Sequence, residues 1–251
     1  MRTRIAPTPS GYLHTGNAVN FALVDAFAKT RGCEIALRID DLDAPRVRPE
    51  FVEDIFRVLM WLDIEWQVGP RAAADLESWG QKRHMRDYVQ ARDAILAQGD
   101  AFYACACSRG NRRSSRCVCA SQTLTLETDQ TSLRMRWKSG EDPVVWRRDG
   151  LPAFHLTSVV DDDRMGVTHV VRGEDLQEST EFQQALSLRL PGNRFSSTHA
   201  LHHPLVLDAS GRKLSKSAGA GSRPMVLNSE LRKEIHGIVD SFEIHLGQIN
   251  P

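Results

Sequence analysis

The hydrophobic pattern at the start of the chain predicts a strand, a helix and a second strand. A short apolar run around Ile5 is interrupted by two prolines, and apolar residues then occupy most faces of residues 17–30 until Gly32. Apolar and polar positions alternate over residues 35–39, which is typical of a strand. These elements form a βαβ unit, so we expect an α/β protein with a parallel sheet. Ligands of such sheets bind beyond the carboxyl ends of the strands.

Further periodic segments extend the α/β pattern. Pro49 stands where a first helical turn begins, and apolar residues follow it at helical spacing. A helix is predicted over residues 82–98, with Leu96 among its inward-facing residues, after a loop at residues 69–80. A valine-rich run predicts a buried parallel strand with Arg172 at its carboxyl end. The remaining predictions are strands at residues 133–137, 144–146 and 198–207, and helices at residues 178–190 and 229–242.

Composition limits the range of functions. The 251 residues have a formal net charge of zero with 25% charged residues, so no global basic field indicates a nucleic-acid partner. No apolar run reaches membrane-spanning length, and the N-terminus reads as a nucleotide-binding loop rather than a signal peptide. Five cysteines fit the reduced cytosol better than a disulfide framework. We therefore expect a cytoplasmic protein of one or two domains with no membrane contact.

The first predicted helix begins in a segment suited to a phosphate. Its start leaves backbone N–H groups unpaired and carries the positive end of the helix dipole. His14 and Asn17 add side-chain donors there, and Gly16 has no Cβ to hinder the approach of a ligand. In isolation such a tetrapeptide is more commonly an ordinary turn.

A second candidate phosphate site lies about two hundred residues later. Residues 211–217 form a loop rich in glycine and serine with two lysines, Lys213 and Lys216. A lysine pair is usually a solvated surface feature. Together with His14, however, the two lysines predict a mobile cationic clamp for a polyphosphate.

Charged residues also follow the predicted strands. Asp40 belongs to an acidic cluster that is either a solvated loop with helix-capping carboxylates or, given its place after the second strand, a ligand for a substrate ammonium. Arg172 alone would more commonly be structural. With Arg4 at the same strand ends, it predicts a pair of guanidinium groups for a carboxylate.

Four cysteines lie within fifteen residues, as two C-x-C pairs separated by nine residues. Two such pairs can converge on a tetrahedral Zn²⁺, and the segment contains almost no large apolar residue that could fold it without metal. The alternative is a set of buried, unligated cysteines. The four candidate ligands are Cys105, Cys107, Cys117 and Cys119.

The same segment holds the densest basic patch of the chain, which we expect to face a phosphate backbone. The patch consists of Arg109, Arg112, Arg113 and Arg116.

These motifs together resemble class I aminoacyl-tRNA synthetases. Residues 14–17 and 213–217 resemble the HIGH and KMSKS elements, and residues 4–11, 37–43, 149–162 and 171–176 resemble glutamyl-tRNA synthetases. The chain ends about thirty-four residues after Ser217, too few for their helical anticodon-binding region, so the resemblance is to their short relatives, the glutamyl-queuosine tRNA(Asp) synthetases.

The resemblance implies a Rossmann-type nucleotide-binding core with an inserted zinc-bearing subdomain. The implied division is a first half of the core at residues 1–98, the zinc insertion at 99–145, a second half with the lysine loop at 146–220, and a helical extension at 221–251.

The resemblance also implies roles for individual residues. ATP, with Mg²⁺, would be held by His14, Gly16, Asn17, Lys213 and Lys216, of which His14 and the two lysines would be catalytic. The amino-acid pocket would be lined by Arg4, Ala6, Thr8, Asp40, Phe154, Ser158 and Arg172. The implied reaction activates L-glutamate with ATP and passes it to the queuosine of tRNA(Asp), and we expect the enzyme to be a monomer.

Three pocket positions depart from the family pattern. Asp40 stands where glutamate is usual, Phe154 where tyrosine is usual, and Thr8 where serine is common. The short relatives also often bind zinc with three cysteines and a tyrosine, whereas four cysteines are available here. Two alternatives therefore stay open: activation of glutamate or a related amino acid for a carrier protein or small molecule, and a zinc-bearing binding protein without catalysis.

Overall fold

The protein is described by a computed structural model, which covers residues 1–42, 46–107, 117–138, 142–206 and 223–246. The strands are β1 (Arg2–Ile5), β2 (Glu34–Leu37), β3 (Phe102–Cys105), β4 (Ser132–Met135), β5 (Val144–Trp146), β6 (His169–Gly173) and β7 (His199–His203). The helices are α1 (Thr15–Arg31), α2 (Pro49–Trp61), α3 (Leu76–Trp79), α4 (Met85–Leu96), α5 (Phe154–Arg164), α6 (Gln177–Ser187) and α7 (Ser229–Leu246). No helix of the described part is long and apolar enough to cross a membrane.

The chain divides into two compact units, each assembled from separated segments. The first unit comprises Met1–Arg83, Met165–Gln177 and Thr198–Pro251, and the second comprises His84–Arg164 and Glu178–Ser197. These boundaries differ from the four segments expected from the sequence, whose assignment as domains stays a prediction.

The first unit contains the parallel strands. Strand β1 pairs in parallel with β2, and β6 pairs in parallel with β7. The backbone N–H of Thr168 donates to the carbonyl of Arg2 at 2.9 Å, so β6 begins beside β1. The parallel α/β core expected from the sequence is confirmed.

Helix α1 forms the centre of the first unit's hydrophobic core. Its buried face includes Val19, Leu23 and Phe27, and α7 contributes Ile235 to the same core. The helix ends at Gly32, whose φ of 62° lies in the left-handed region that glycine adopts without strain. The predicted helix and its stop are confirmed.

The second unit is built on an antiparallel sheet in the order β3-β4-β5, with α4, α5 and α6. The hydroxyl of Tyr88 on α4 donates to the fully buried carboxylate of Asp161 on α5, with distances of 2.9 and 2.8 Å to its two oxygens. This contact joins the two helices inside the unit.

Several predictions of detail are wrong. Residues 69–80 are not a plain loop, because a 3₁₀ turn at Ala73–Asp75 and helix α3 lie within them. Leu96 is 42% exposed at the end of α4 instead of facing inward. Helix α5 was not predicted, because its β-branched residues and run of three aspartates have low helix propensity.

Candidate active site and cysteine cluster

The turn before α1 holds three of the predicted ATP-binding residues together. His14 is the N-cap of the helix, with extended backbone angles, and its N–H donates to Oδ1 of Asn17 at 3.1 Å. Gly16 lies in the first turn between them. A helix start of this kind can bind an anion, and the binding of ATP there stays a prediction.

Asp54, a residue of helix α2, holds the turn before α1 in place. Its Oδ2 accepts the backbone N–H of Leu13 at 2.8 Å, and its Oδ1 accepts from Nε of Arg57 at 3.0 Å. The carboxylate is buried, so the bond to Leu13 is shielded from water. Sequence reasoning missed Asp54, although a carboxylate on the apolar face of a predicted helix was the signal that could have identified it.

The lysine segment is the stretch of residues 211–217 that contains Lys213 and Lys216. Residues on both sides of it contact residues of helix α1. Nδ2 of Asn20 on α1 is 3.0 Å from Nε2 of His203, at the end of β7. After the segment, Sδ of Met225 is 4.0 Å from Oγ1 of Thr15, and the Met225 carbonyl accepts from Arg57 at 3.3 Å. Lys213 and Lys216 themselves lie outside the described residues, so their approach to His14 stays a prediction.

His203 is largely buried beside Asn20, and burial decides its charge state. Burial lowers the pKa of His203, although the carbonyl of Pro204, which lies 2.8 Å from Nδ1, acts in the opposite direction. The imidazole is therefore available to Asn20 in its uncharged form near pH 7.

The predicted ammonium ligand Asp40 already has a cationic partner. Nε of Arg38 lies 2.6 Å from Oδ1 of Asp40, Nη2 lies 3.3 Å from Oδ2, and both side chains are buried. Asp40 follows the carboxyl end of β2, as predicted, and its backbone N–H donates to the carbonyl of Pro7, just beyond the end of β1. Asp43 is outside the described residues.

The two predicted carboxylate-binding arginines lie on neighbouring strands. Arg4 on β1 donates from Nη1 to the carbonyl of Val171 on β6 at 3.5 Å, and Arg172 is the next residue along β6. Both arginines are buried. Burial and the adjacent Arg172 charge lower the pKa of His202, which faces Arg172 across the β6–β7 pair.

The remaining pocket candidates are divided between the two units. Ala6 and Thr8 follow β1 in the first unit, where Ala6 is half-buried and Thr8 is exposed. Phe154 and Ser158 belong to α5 of the second unit. Phe154 is 47% exposed at the start of that helix, whereas Ser158 is buried.

The four predicted metal ligands converge in the second unit. Their sulfur atoms all lie within 4.8 Å of one another, and three of the pairs are 3.5, 3.5 and 3.6 Å apart. Sulfurs at about 2.3 Å from a tetrahedral Zn²⁺ are separated by roughly 3.8 Å, so the donor set fits this ion in both chemistry and size. The ligands are Cys105, Cys107, Cys117 and Cys119. Arginines 109, 112, 113 and 116 lie outside the described residues.

The thiols influence one another strongly. Hydrogen bonds from Cys107 to Cys117 and Cys119 raise the pKa of Cys107 to about 12. Burial acts to raise the pKa of Cys105, but the Cys107 backbone, the Cys117 thiol and the Arg134 guanidinium together lower it. Four thiols in such close contact are a poor arrangement for free cysteines and a good one for thiolates that share a cation.

The fold and the site together define a class I aminoacyl-tRNA synthetase catalytic domain. In the comparison with solved structures, a glutamate tRNA ligase from Elizabethkingia meningosepticum in complex with its amino acid has a TM-score of 0.69 and 26% identity, over 88% of this chain and 52% of that chain. Residues 1–120 and 108–230 match the family described as tRNA synthetases class I (E and Q), catalytic domain, and the chain belongs to this family.

Two relatives narrow the comparison. A glutamyl-Q tRNA(Asp) synthetase from Nitratidesulfovibrio vulgaris is 33% identical, over 86% of this chain and 78% of its own length. A glutamate–tRNA ligase from Sulfurihydrogenibium is 30% identical, over 88% of this chain but only 53% of its own length. The chain thus spans about half the length of this ligase.

Proposed function

We propose that the protein activates L-glutamate with ATP and transfers it to the queuosine base of tRNA(Asp). The observation that carries the proposal is the 33% identity to a glutamyl-Q tRNA(Asp) synthetase over most of this chain. It is supported by the helix start at His14 and by the nearby residues that flank the lysine segment, His203 and Met225.

The first step forms glutamyl-adenylate. An oxygen of the α-carboxylate of glutamate attacks the α-phosphorus of ATP, and pyrophosphate leaves as its bond to that phosphorus breaks. His14, Gly16, Asn17 and the α1 N-terminus bind the triphosphate, and Lys213 and Lys216 neutralise charge on the departing pyrophosphate. Mg²⁺ bound with ATP supplies further positive charge.

The amino acid is held by the strand-end residues. In this proposal Arg4 and Arg172 bind a carboxylate of glutamate, and Asp40 accepts the ammonium while keeping its bond to Arg38. The family resemblance assigns contacts with the amino acid to Ala6 and Thr8 of the first unit, and to Phe154 and Ser158 of the second.

The second step transfers the glutamyl group. A hydroxyl of the queuosine cyclopentenediol ring attacks the carbonyl carbon of the adenylate, its proton passes to solvent, and AMP leaves.

Zn²⁺ bound by the four cysteines would cross-link a segment with little apolar core of its own. We expect a cytoplasmic monomer.

Two linked assays test the function. ATP–pyrophosphate exchange, run over all twenty amino acids with and without tRNA, should respond to glutamate. Labelled glutamate should then be transferred to queuosine-containing tRNA(Asp) and not to the same tRNA with unmodified guanosine, which is the matched control. No exchange with any amino acid contradicts an adenylating enzyme.

A second candidate function is activation of glutamate or a related amino acid for a carrier protein or small molecule. The zero net charge of the chain favours this acceptor class, because tRNA-binding proteins gain affinity from positive charge. Exchange without transfer to either tRNA(Asp) would support it.

A further inference from the structure

We propose that Arg134 is a positioning residue of the cysteine cluster, whose buried guanidinium balances the negative charge of the four thiolates when they hold Zn²⁺. The inference rests on the zinc site proposed above and adds a residue that belongs to neither C-x-C pair.

The strand register places Arg134 next to the ligands. On β3, Tyr103 and Cys105 are two residues apart and therefore point to the same face of the sheet. On β4, Ser132 lies opposite Cys105 and Arg134 lies opposite Tyr103. Residues that face each other across antiparallel strands share a face, and a diagonal neighbour is within reach of a long side chain.

The burial of Arg134 requires a compensating negative charge. Its side chain is 3% exposed, and a guanidinium cannot lose its proton to become neutral inside a protein. Its Nη1 donates to the backbone carbonyl of Asp142, whereas Nε and Nη2 are buried and form no hydrogen bond of standard geometry within the described residues. Two donors thus remain for the cluster.

The neighbouring carboxylate is already engaged elsewhere. Oδ2 of Asp142 accepts the hydroxyl of Tyr103 at 2.9 Å, and Oδ1 accepts the backbone N–H of Trp137 at 2.8 Å. Both of these donors are neutral, so Asp142 keeps its negative charge and shares in balancing Arg134. Within the described residues, we assign the cysteine sulfurs as the partners of the Nε and Nη2 donors of Arg134. Four thiolates and one Zn²⁺ carry a net charge of about −2, and one buried cation halves it. N–H donors to ligand atoms are a common support of metal sites.

Two other arginines near the cluster donate to backbone carbonyls. Arg148 donates to the carbonyls of Ala106 and Cys107 at 2.8 and 3.2 Å. Arg136 is exposed and donates to the carbonyl of Ala120. Arg136 is the matched control, because it is also an arginine and lies two positions after Arg134. Its charge is exposed and therefore screened by water.

The test measures metal binding by the full chain. Zn²⁺ affinity is determined by competition with a chromogenic chelator for the wild type, Arg134→Met, Arg134→Lys and Arg136→Met. We expect Arg134→Met to weaken Zn²⁺ binding by about 10- to 100-fold. Arg134→Lys should recover part of this loss, and Arg136→Met should change the affinity by less than about threefold.

A spectroscopic measurement separates charge balance from a role in folding alone. In Co²⁺-substituted protein, loss of the nearby cation should shift the thiolate-to-metal charge-transfer band of Arg134→Met to lower energy, and Arg134→Lys should restore it. Wild-type affinity and spectrum in Arg134→Met would overturn the role of Arg134 alone. A wild-type chain that binds neither metal would overturn the zinc site, and this inference with it. If Arg134→Met does not fold, an unshifted band in the neutral variant Arg134→Gln overturns the inference.

Discussion

The carboxylate of Asp54 accepts the backbone N–H of Leu13 at 2.8 Å, one residue before the N-cap of α1. A side chain of one helix thereby fixes the entry of another. The α1 helix start is where we propose that ATP is bound, so Asp54 connects the packing of α2 to the geometry of the triphosphate site.

Replacing Asp54 by alanine should impair adenylation and stability together. The change leaves the Leu13 N–H buried without an acceptor, which costs about 1–3 kcal/mol of unfolding free energy, and it loosens the turn at His14. We expect a raised KM for ATP in pyrophosphate exchange and a lower urea midpoint. Asp54→Asn keeps an oxygen for Leu13 and should be milder. Arg57→Met removes the ion pair and the bond to the Met225 carbonyl but keeps the acceptor of Leu13, so it should be milder still. Equal ATP kinetics in Asp54→Ala and the wild type would contradict this coupling.

Lys216→Ala should slow pyrophosphate exchange by about 100-fold or more, because the transition state loses a positive charge placed on the departing pyrophosphate. Lys213→Ala should act in the same direction. The control is Lys233→Ala, an exposed lysine on α7 that should leave exchange unchanged. A mild effect of Lys216→Ala would mean that the lysine segment does not close on the triphosphate.

Phe154→Tyr tests the amino-acid pocket. The substitution adds the hydroxyl that the family pattern has at this position, and the side chain is exposed enough to accept it without repacking. A hydrogen bond to a charged substrate is worth about 1.5–3 kcal/mol. We therefore expect the KM for glutamate in exchange to fall by about 10- to 100-fold. An unchanged KM for all twenty amino acids would place Phe154 outside the pocket.

Metal should protect four of the five cysteines from alkylation. In zinc-loaded protein, only Cys33, which lies in the first unit, should react with a maleimide, and slowly, because burial raises the pKa of its thiol and leaves less thiolate. Addition of a chelator should expose four more thiols, counted by mass spectrometry. Cys107→Ala should lose bound zinc, whereas Cys33→Ser should retain it. Five reactive thiols before chelation would argue against the metal site.

Stability should fall as the pH drops below 7. Burial lowers the pKa values of His203, His202 and His169, so the unfolded chain binds more protons than the folded chain in this range. Their stabilising contribution is present above the unfolded-state value of about 6.5 and is lost below it. The free energy of unfolding, measured with urea at pH 7.5 and 5.5, should fall less in His203→Gln than in the wild type. His236→Gln, at an exposed site on α7, should behave as the wild type does.

Local sequence features explain what could be predicted. Helix α1 was predictable because a continuous apolar surface ends at Gly32, and the cysteine cluster because its ligand spacing is itself a geometric constraint. Helix α5 could not be predicted, because its β-branched and acidic residues have low helix propensity. Its packing with α4 also depends on Tyr88, which is far away in the sequence.

The partners of buried charged side chains are the hardest contacts to predict from the sequence. The Leu13 N–H donates to Asp54, and Arg134 donates to the Asp142 carbonyl. Both bonds depend on the tertiary arrangement of segments that are not adjacent in the sequence.

The order in which the two units can fold during synthesis follows from their interleaved segments. The first unit opens with β1, yet it requires β6 and β7 for its parallel strands, and α7 for the core around α1. Its N-terminal third must therefore wait until more than two hundred residues have been synthesised, while the second unit has all its segments by Ser197. Such long-range closure makes folding slow. Newly made chains should accordingly show a protease-resistant second unit before the triphosphate site can form.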